Sequence, residues 1–272
     1  MFGLGLAIGD MVGEPYEFSG EKMKTMDFNF LDKEMNTYTD DSVMALAVCE
    51  GVLNAVDNLD KKFMKASIQK SMTKWGRKYR DVGYGAKFYW WIFSEEQKPY
   101  SSWGNGSVMR VGFIPWIFKN NLDRCLEVAE IQAKITHNHP EGVKGEVSIA
   151  HVIWLAINGV EKSEIRQMVI EKYYPLEKSC DVIREKYRFD VSCQGTCPVA
   201  IQCFLESMDY ESAVRLAISM GGDADTLGAI TGAMAEAYYG VPYKYQKIAL
   251  EILPKDLKDI ILKFNNYLNQ EF

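Results

Sequence analysis

Two short clusters of acidic and hydroxyl residues are the strongest chemical signals in this sequence. The first comprises Thr39, Asp40 and Asp41, and the second comprises Asp223, Asp225 and Thr226. Each cluster stands directly before an apolar helical pattern, where Asp and Thr are favoured N-caps. A helix needs only one cap, however, and adjacent carboxylates repel one another unless a cation or a shared proton offsets the charge. Oxygen-only ligands suit a hard cation, so the two clusters could converge on two metal ions, magnesium first, with manganese or calcium as alternatives.

A third acidic feature is the stretch GLAIGDMVGEPYEF near the start of the chain, which contains Asp10, Glu14 and Glu17. Solvent-facing positions on a first helix would explain these residues, Glu14 above all. Pro15 is expected to end that helix, so that Glu17 lies on the loop beyond it. A carboxylate beside a metal site can act as a general acid or base, which makes Glu17 a catalytic candidate.

Two further segments could contact a ligand. The first consists of Gly104, Asn105, Gly106 and Ser107. These residues expose backbone amides before a predicted apolar helix that starts at 108, which suits a phosphate, although such a string is also a common turn and cap. The second segment holds His137 and His139 in a short loop ahead of a predicted helix, where they are either structural or substrate contacts. His151 falls inside that helix.

The amino-acid composition and the net charge exclude several classes of protein. The chain has 272 residues, of which 47% are hydrophobic and 25% charged, so it is globular rather than disordered. Its 31 basic and 37 acidic residues give a net charge of −6, which argues against general nucleic-acid binding. No apolar run approaches the roughly 18 residues that span a bilayer. The apolar N-terminus predicts a first core helix rather than a signal peptide.

The six cysteines fit a reduced, cytoplasmic protein, because a chain of this length needs no disulfides to fold. Cys193, Cys197 and Cys203 lack both the spacing and the neighbouring histidine of a zinc site. We therefore expect a cytoplasmic monomer that interacts neither with membranes nor with nucleic acids in general.

Apolar residues at helical spacing run through most of the chain, and alternating strand patterns are scarce. The predicted helices cover 40–56, 61–75, 121–136, 145–160, 198–207, 210–220, 227–240 and 256–270. The segment 80–104, with Gly83, Gly85 and many aromatic residues, is expected to be an irregular active-site loop. No linker or repeat divides the sequence, so residues 1–272 are predicted to form one all-α domain, a compact multi-helix bundle.

The ordered set of these motifs resembles the ADP-ribosylglycohydrolase family. The matching strings are GLAIGDMVGEPYEF within residues 3–18, YTDDSVMALAV at 38–48, GNGSVMRVGFIP at 104–115, THNHPEG at 136–142 and GGDADTLGAITGAMAEAYYG at 221–240. The resemblance extends over most of the chain, and the pair of acidic clusters is its most specific element.

The resemblance implies an all-α fold with a binuclear magnesium site in a central cleft. The implied ligands are the six residues of the acidic clusters, Thr39, Asp40, Asp41, Asp223, Asp225 and Thr226. Glu17 matches the position of a catalytic glutamate. The loop 104–107 and His137 fall in segments that line an ADP-ribose pocket, and the segment GYGAK at 83–87, with Tyr84 and Gly85, corresponds to a glycine-rich substrate loop.

The implied reaction is hydrolysis of the bond from C1 of the distal ribose of ADP-ribose to an acceptor nitrogen or oxygen, on a protein or a small molecule. Two alternatives remain open at this point. One is a non-catalytic ADP-ribose-binding or structural relative, and the other is a metal-dependent hydrolase of a nucleotide phosphate. The sequence does not name the acceptor, which could be arginine, serine, a nucleic-acid base or a small molecule.

Overall fold

The first helix of the chain is buried on every side and packs at the centre of an all-helical protein. The computed structural model describes residues 1–18 and 24–270. Within these ranges the α-helices are α1 (Gly5–Gly13), α2 (Asp40–Leu53), α3 (Lys61–Lys78), α4 (Ala86–Phe93), α5 (Ile114–Ile117), α6 (Leu122–Ala133), α7 (Pro140–Ile157), α8 (Lys162–Lys172), α9 (Cys180–Lys186), α10 (Cys193–Glu206), α11 (Tyr210–Ile218), α12 (Ala224–Tyr239), α13 (Tyr243–Ile252) and α14 (Lys255–Gln270). The predicted all-α fold is confirmed.

Helices α1 and α12 cross at backbone contact because glycines face each other. A Cβ atom on Gly9 would lie 2.0 Å from the carbonyl oxygen of Gly228, which only glycine avoids. Gly5 lies against Gly232 and Gly13 against Ala224, so the two helices run antiparallel. The end of α1 therefore lies beside the start of α12, and the residues that follow α1 meet those that begin α12.

The start of α1 is held by a carboxylate of α12. Glu236 is buried and accepts hydrogen bonds from the amides of Gly3 (2.9 Å), Leu4 (3.2 Å) and Gly5 (2.9 Å). A negative charge at a helix N-terminus satisfies unpaired amides and interacts favourably with the helix dipole. These three hydrogen bonds and the glycine contacts together fix α1 along its whole length.

Both acidic clusters begin a helix, as the sequence predicted. Thr39 is the N-cap of α2, and its hydroxyl accepts from the amide of Asp41. Asp223 precedes α12, after a sharp turn in which Gly221 and Gly222 have φ angles of 70° and 78°. Glycine adopts these positive φ values without a Cβ penalty, so the turn can point the following carboxylates inward.

The structure departs from the predicted helices at several places. Helices α8, α9 and α13 lie in segments for which no helix was predicted. Helix α10 begins at Cys193 rather than at Pro198, because Ser192 caps it and the proline is accommodated inside the helix. The segment 80–104 is not a loop throughout, since it contains α4. The helix expected after residue 107 is only a 3-10 turn, Val108–Arg110, followed by the short α5.

Buried apolar side chains from nearly all of these helices form one continuous core. None of the helices in the described ranges combines the length and the apolar character that crossing a bilayer requires.

Candidate active site

A cavity of about 440 Å³ opens where the end of α1 and the starts of α2 and α12 meet. Its wall includes most of the residues that the sequence singled out: Glu17, Thr39, Asp40, Asp41, Gly85, Gly104, Asn105, Gly106, His137, Asp223, Asp225 and Thr226. Tyr84 and Ser107 do not line it. The cavity is thus lined both by the acidic residues and by the loop at 102–106 with His137.

Asp10 of α1 holds the first turn of α2 in place. Its fully buried carboxylate accepts from the amide (3.0 Å) and hydroxyl (2.7 Å) of Thr39, and from the amide (3.1 Å) and hydroxyl of Ser42. These four bonds satisfy unpaired donors at the start of α2. Asp10 thereby positions Asp40 and Asp41, which follow Thr39 directly.

Asp41 is buried with one oxygen paired and one oxygen free. Its Oδ2 accepts from the hydroxyl of Thr226 at 3.3 Å, which connects the two acidic clusters directly. Its Oδ1 is buried and has no hydrogen-bond partner. Because an unpaired buried carboxylate oxygen is costly, and because hard cations prefer carboxylate ligands, this atom fits a metal ligand.

The carboxylates form two adjoining groups that could each hold a cation. Oxygens of Asp10, Asp41 and Asp225 lie within 4.8 Å of one another, and so do oxygens of Glu17, Asp223 and Asp225. Asp225 belongs to both groups. Asp40 lines the cavity but belongs to neither, whereas Asp10 was not assigned to the metal site by the sequence. Since the Asp10 carboxylate already accepts four hydrogen bonds, it suits the role of an orienting group.

Burial and mutual repulsion disfavour the charged form of these carboxyls. Burial, followed by the charges of Asp223, Asp10 and Glu14, raises the pKa of Glu17 to about 7. Burial, followed by the charges of Asp10, Asp223 and Glu17, raises the pKa of Asp40 to about 8. A nearby cation would lower these pKa values. These carboxylate ligands therefore fit a divalent metal ion, because its positive charge would offset their mutual repulsion.

Glu17 lies on the turn that follows α1 and a short 3-10 helix, Glu14–Tyr16, which contains Pro15. Its amide donates to the carbonyl of Glu14 at 3.3 Å. The side chain is half-buried and borders the cavity beside Asp223 and Asp225. Pro15 ends α1 as the sequence predicted, and the glycine contacts of α1 with α12 then bring this loop residue to the acidic cluster.

The loop at 104–107 offers fewer free amides than its sequence suggests. The amide of Asn105 donates to the carbonyl of Val191 at 2.7 Å, and that of Gly104 donates to the hydroxyl of Ser102 at 3.1 Å. The Asn105 side chain donates to Asp223 Oδ2 at 2.6 Å and thus orients a carboxylate of the acidic cluster. Gly106 remains on the cavity wall.

Two predicted substrate contacts lie behind the wall rather than on it. Ser107 is fully buried, and its hydroxyl donates to the carbonyl of Gly142 at 3.4 Å. The ring of Tyr84 packs against Phe88 at 5.5 Å between centroids, and its hydroxyl is buried without a partner. Gly85, by contrast, lines the cavity, so the segment 83–87 reaches it through backbone.

Sequence reasoning missed several residues that shape this site. Asp10 is buried rather than solvent-facing, because every other residue of α1 is apolar or glycine, and a helix without a polar face is a buried one. The cavity is also lined by Lys87, Phe88, Tyr100, Ser102, Met109 and Val191. No local signal marks those six, because they are ordinary residues that the fold brings to the wall.

The sequence pattern of the ADP-ribosylglycohydrolase family matches residues 3–262. The chain therefore belongs to this family of glycosidic-bond hydrolases, and the expectation that it is an enzyme is confirmed.

Similar proteins carry related names. An ADP-ribosylarginine hydrolase, Tri1, of Pseudomonas putida is 27% identical over 88% of this chain and 69% of its own length. The human ADP-ribosylhydrolase ARH3 is 26% identical over 77% of this chain and 74% of its own. A solved structure titled as an ADP-ribosylglycohydrolase-related protein complex superposes with a TM-score of 0.73 at 23% identity, over 97% of this chain and 95% of that one. This last similarity establishes the fold.

Proposed function

We propose that this protein is a magnesium-dependent hydrolase that cleaves the glycosidic bond between ADP-ribose and an acceptor nitrogen or oxygen. The observation that carries the proposal is the convergence of Glu17 with both acidic clusters on one cavity, in a chain of the ADP-ribosylglycohydrolase family. The cavity volume of about 440 Å³ is that of a small-molecule site, within the usual range of roughly 300–1,000 Å³.

The six residues of the acidic clusters are proposed to hold two magnesium ions. The unpaired Oδ1 of Asp41 and the two carboxylate groups that share Asp225 support this assignment. Manganese has the same preference for oxygen ligands and could replace magnesium. When bound, the metal supplies positive charge that orients the ribose hydroxyls or the diphosphate and polarises water.

Glu17 is proposed to move a proton during the reaction. The oxygen of water forms a bond to C1 of the distal ribose while the bond from C1 to the acceptor breaks. The carboxyl of Glu17 transfers the proton from water to the departing acceptor, as one carboxylate does in glycoside hydrolysis. The surrounding carboxylates stabilise the positive charge that develops on the ribose in the transition state.

The rest of ADP-ribose is proposed to extend from the acidic side of the cavity toward His137. Gly104 and Gly106 lie beside His137 on the cavity wall, and Gly85 also lines the cavity. Asn105 is proposed to act through Asp223 as much as through the ligand, because its side-chain amide already donates to that carboxylate.

The decisive experiment is a panel of ADP-ribosylated substrates, each incubated with magnesium or with a chelator, in which released ADP-ribose is measured. ADP-ribosylarginine is the first acceptor to test, because the Pseudomonas putida relative is named for it. Serine and nucleic-acid adducts follow. Release that depends on magnesium is the expected result.

Binding of ADP-ribose without release from any substrate would contradict the proposal and favour a non-catalytic relative. Release of inorganic phosphate from a nucleotide instead would favour a metal-dependent phosphohydrolase. We further propose that residues 1–272 act as one domain and as a cytoplasmic monomer without general affinity for nucleic acid, which size-exclusion chromatography and cell fractionation can test.

A further inference from the structure

A second cavity adjoins the active site and shares Glu17 with it. Its volume is about 410 Å³, and among the described residues its wall includes Glu17, Phe18, Phe189 and Gly222 together with the cationic Lys24 and Arg188. Glu17 lines both cavities. Gly222 directly precedes Asp223 of the second acidic cluster. The second cavity therefore begins at the residue that is proposed to move the proton.

The proposed hydrolysis needs space for two groups, one on each side of the bond that breaks. In that proposal ADP-ribose occupies the first cavity, which is lined by the acidic clusters and by Gly104 and Gly106. Glu17 must also reach the departing atom of the acceptor, because a general acid acts within hydrogen-bond distance. The second cavity is then the space beside Glu17 that remains for the acceptor.

Two exposed phenylalanine rings line the second cavity. Phe18 is 82% exposed and Phe189 is 52% exposed. Their rings are nearly parallel, with 20° between the planes and 6.2 Å between the centroids. Apolar surface that remains exposed beside a cavity commonly marks a binding site. Aromatic rings favour ligand groups that can stack on their flat faces, so these rings suit a planar acceptor.

Backbone packing holds Phe189 beside the second acidic cluster. A Cβ atom on Gly222 would lie 3.1 Å from the Cα atom of Phe189 and 3.1 Å from the carbonyl oxygen of Arg188. The absence of a side chain at Gly222 thus lets residues 188–189 lie close against the turn that precedes Asp223. Phe18 directly follows Glu17 in the chain. Both rings are therefore tied to residues of the active site.

Carboxylates surround the point where the two cavities join. After burial, the charges of Asp223, Asp10 and Glu14 all raise the pKa of Glu17. Negative charge attracts a cationic ligand group, and so does the face of an aromatic ring. Of arginine, serine and a nucleic-acid base, only the arginine side chain is both flat and positively charged. The charge and the shape of the site thus favour the same acceptor.

The two cations of the second cavity are bound to backbone carbonyls. Lys24 Nζ donates to the carbonyl oxygen of Tyr187 at 2.9 Å and to that of Met220. Arg188 Nη1 donates to the carbonyl oxygen of Tyr187 at 3.0 Å. These bonds explain both cations as ties between backbone segments of the wall, so neither of them has to be assigned to a ligand.

We propose that the second cavity is the acceptor subsite, in which Phe18 and Phe189 bind the guanidinium group of an ADP-ribosylated arginine. This inference rests on the proposed function, because it takes Glu17 as the group that gives the departing acceptor its proton. The substrate spans Glu17, with ADP-ribose in the first cavity and arginine in the second. When the bond from C1 to the guanidinium nitrogen breaks, that nitrogen keeps the electron pair and receives the proton that Glu17 took from water.

The rings are tested with Phe189→Leu and Phe189→Tyr, by steady-state kinetics on an ADP-ribosylarginine peptide in magnesium. Leucine is apolar but has no aromatic face, so kcat/KM should fall by about 3- to 30-fold, the range expected for the loss of a cation–aromatic contact. Tyrosine keeps the ring and should keep the wild-type value. Phe18→Leu should act in the same direction. Phe63→Leu is the matched control, since Phe63 is 48% exposed on α3.

Binding of free ADP-ribose separates an acceptor subsite from a general effect on the active site. Because ADP-ribose carries no acceptor, calorimetric titration in magnesium should give the same Kd for the wild type and for Phe189→Leu. A loss of ADP-ribose affinity as large as the loss of kcat/KM would place the ring beside ADP-ribose and overturn the inference. The wild type should also hydrolyse ADP-ribosylarginine with a higher kcat/KM than ADP-ribosylserine.

The outcomes distinguish this inference from the proposed function. If the wild type releases ADP-ribose from no substrate of the panel, the proposed function fails and the acceptor subsite fails with it. If it hydrolyses ADP-ribosylarginine and the folded variants Phe18→Leu and Phe189→Leu do so equally well, only the subsite is wrong. A preference of the wild type for a serine or nucleic-acid adduct would overturn the choice of arginine, even if neither variant folded.

Discussion

Asp41 and Glu17 border the same cavity, but their surroundings suit them to different tasks. Asp41 is buried, and only one of its two oxygens is paired, which suits a fixed ligand. Glu17 is half-buried at the end of a turn, and burial together with neighbouring carboxylates raises its pKa to about 7. A group with a pKa near the working pH can both give and take a proton. These differences lead to separate predictions for the two residues.

Replacement of Glu17 by Gln should slow hydrolysis without loss of metal. The amide keeps the shape of the side chain but cannot exchange a proton, and general acid–base catalysis contributes roughly 10²–10⁴-fold. A single-turnover rate on the substrate that the panel identifies measures the effect, with magnesium titration as the control. An unchanged rate would remove Glu17 from the mechanism, and a joint loss of rate and metal would make it a ligand.

Replacement of Asp41 by Asn should weaken magnesium binding sharply, because it removes the charge from the oxygen that has no protein partner. Calorimetric titration of magnesium measures the change. Asp259→Asn is the matched control, since Asp259 is exposed on α14 and the same substitution there removes the same charge. Equal magnesium affinity in the two variants would contradict the site assignment.

At the scale of elements, the site is an assembly of helix ends rather than of helix faces. The antiparallel contact of α1 with α12 brings Glu17 beside Asp223, and the Asp10 carboxylate fixes the start of α2 against α1. Helix starts supply unpaired amides and a favourable dipole for negative charge. That environment is one reason why so many carboxylates can be gathered in one place.

The close contact between α1 and α12 predicts that replacing a helical glycine by alanine lowers the stability of the protein, the opposite of the usual effect. Alanine is favoured over glycine inside a helix by about 1 kcal/mol. Gly9→Ala should nevertheless destabilise the protein by about 1–3 kcal/mol or more, because the new Cβ would lie 2.0 Å from the carbonyl oxygen of Gly228. Urea denaturation measures the free energy of unfolding.

Gly85→Ala is the control for stability alone, since a Cβ there has open space and the glycine has an ordinary φ. Unchanged or increased stability of Gly9→Ala would show that the two helices do not pack as described. Magnesium affinity of Gly9→Ala should also fall, because separating α1 from α12 separates the two carboxylate groups.

At the scale of the whole molecule, the carboxylate cluster should make stability depend on pH and metal together. Folding raises the pKa of Asp10 to about 6, of Glu17 to about 7 and of Asp40 to about 8, chiefly through burial. The folded state then binds more protons than the unfolded state between about pH 4 and 8, so without metal the free energy of unfolding should fall as pH rises through that range. Magnesium should reverse most of the loss.

Thermal unfolding at several pH values between about 5 and 8, with chelator or with magnesium, tests this coupling. A ligand at 100 times its Kd adds about 2.7 kcal/mol if it binds only the folded state. The double variant Asp41→Asn, Asp225→Asn is the control, in which magnesium should stabilise little. Stability that rises with pH in chelator, or a Tm indifferent to magnesium in the wild type, would contradict the prediction.

Local sequence patterns predicted most of the helices and the types of residue in the site, but not α4, α8, α9 or α13. The spacing of apolar residues predicted α2, α3, α6, α7, α11, α12 and α14 closely, because that spacing reflects which face each helix buries. The helix-start position of both acidic clusters also followed from the sequence, since capping is a local property. The start of α10 was missed because Pro198 was expected to begin a helix rather than to lie inside one.

Which side chains meet could only be decided by tertiary structure. Asp10 contacts the start of α2, Asp41 contacts Thr226, and Ser107 contacts Gly142. Each of these contacts joins residues that are distant in sequence. The sequence by itself determined an all-α enzyme of a known family with its acidic and glycine-rich motifs. The packing of α1 on α12 decided their common geometry, because a distance between two helices depends on both surfaces and neither surface is a local property of the chain.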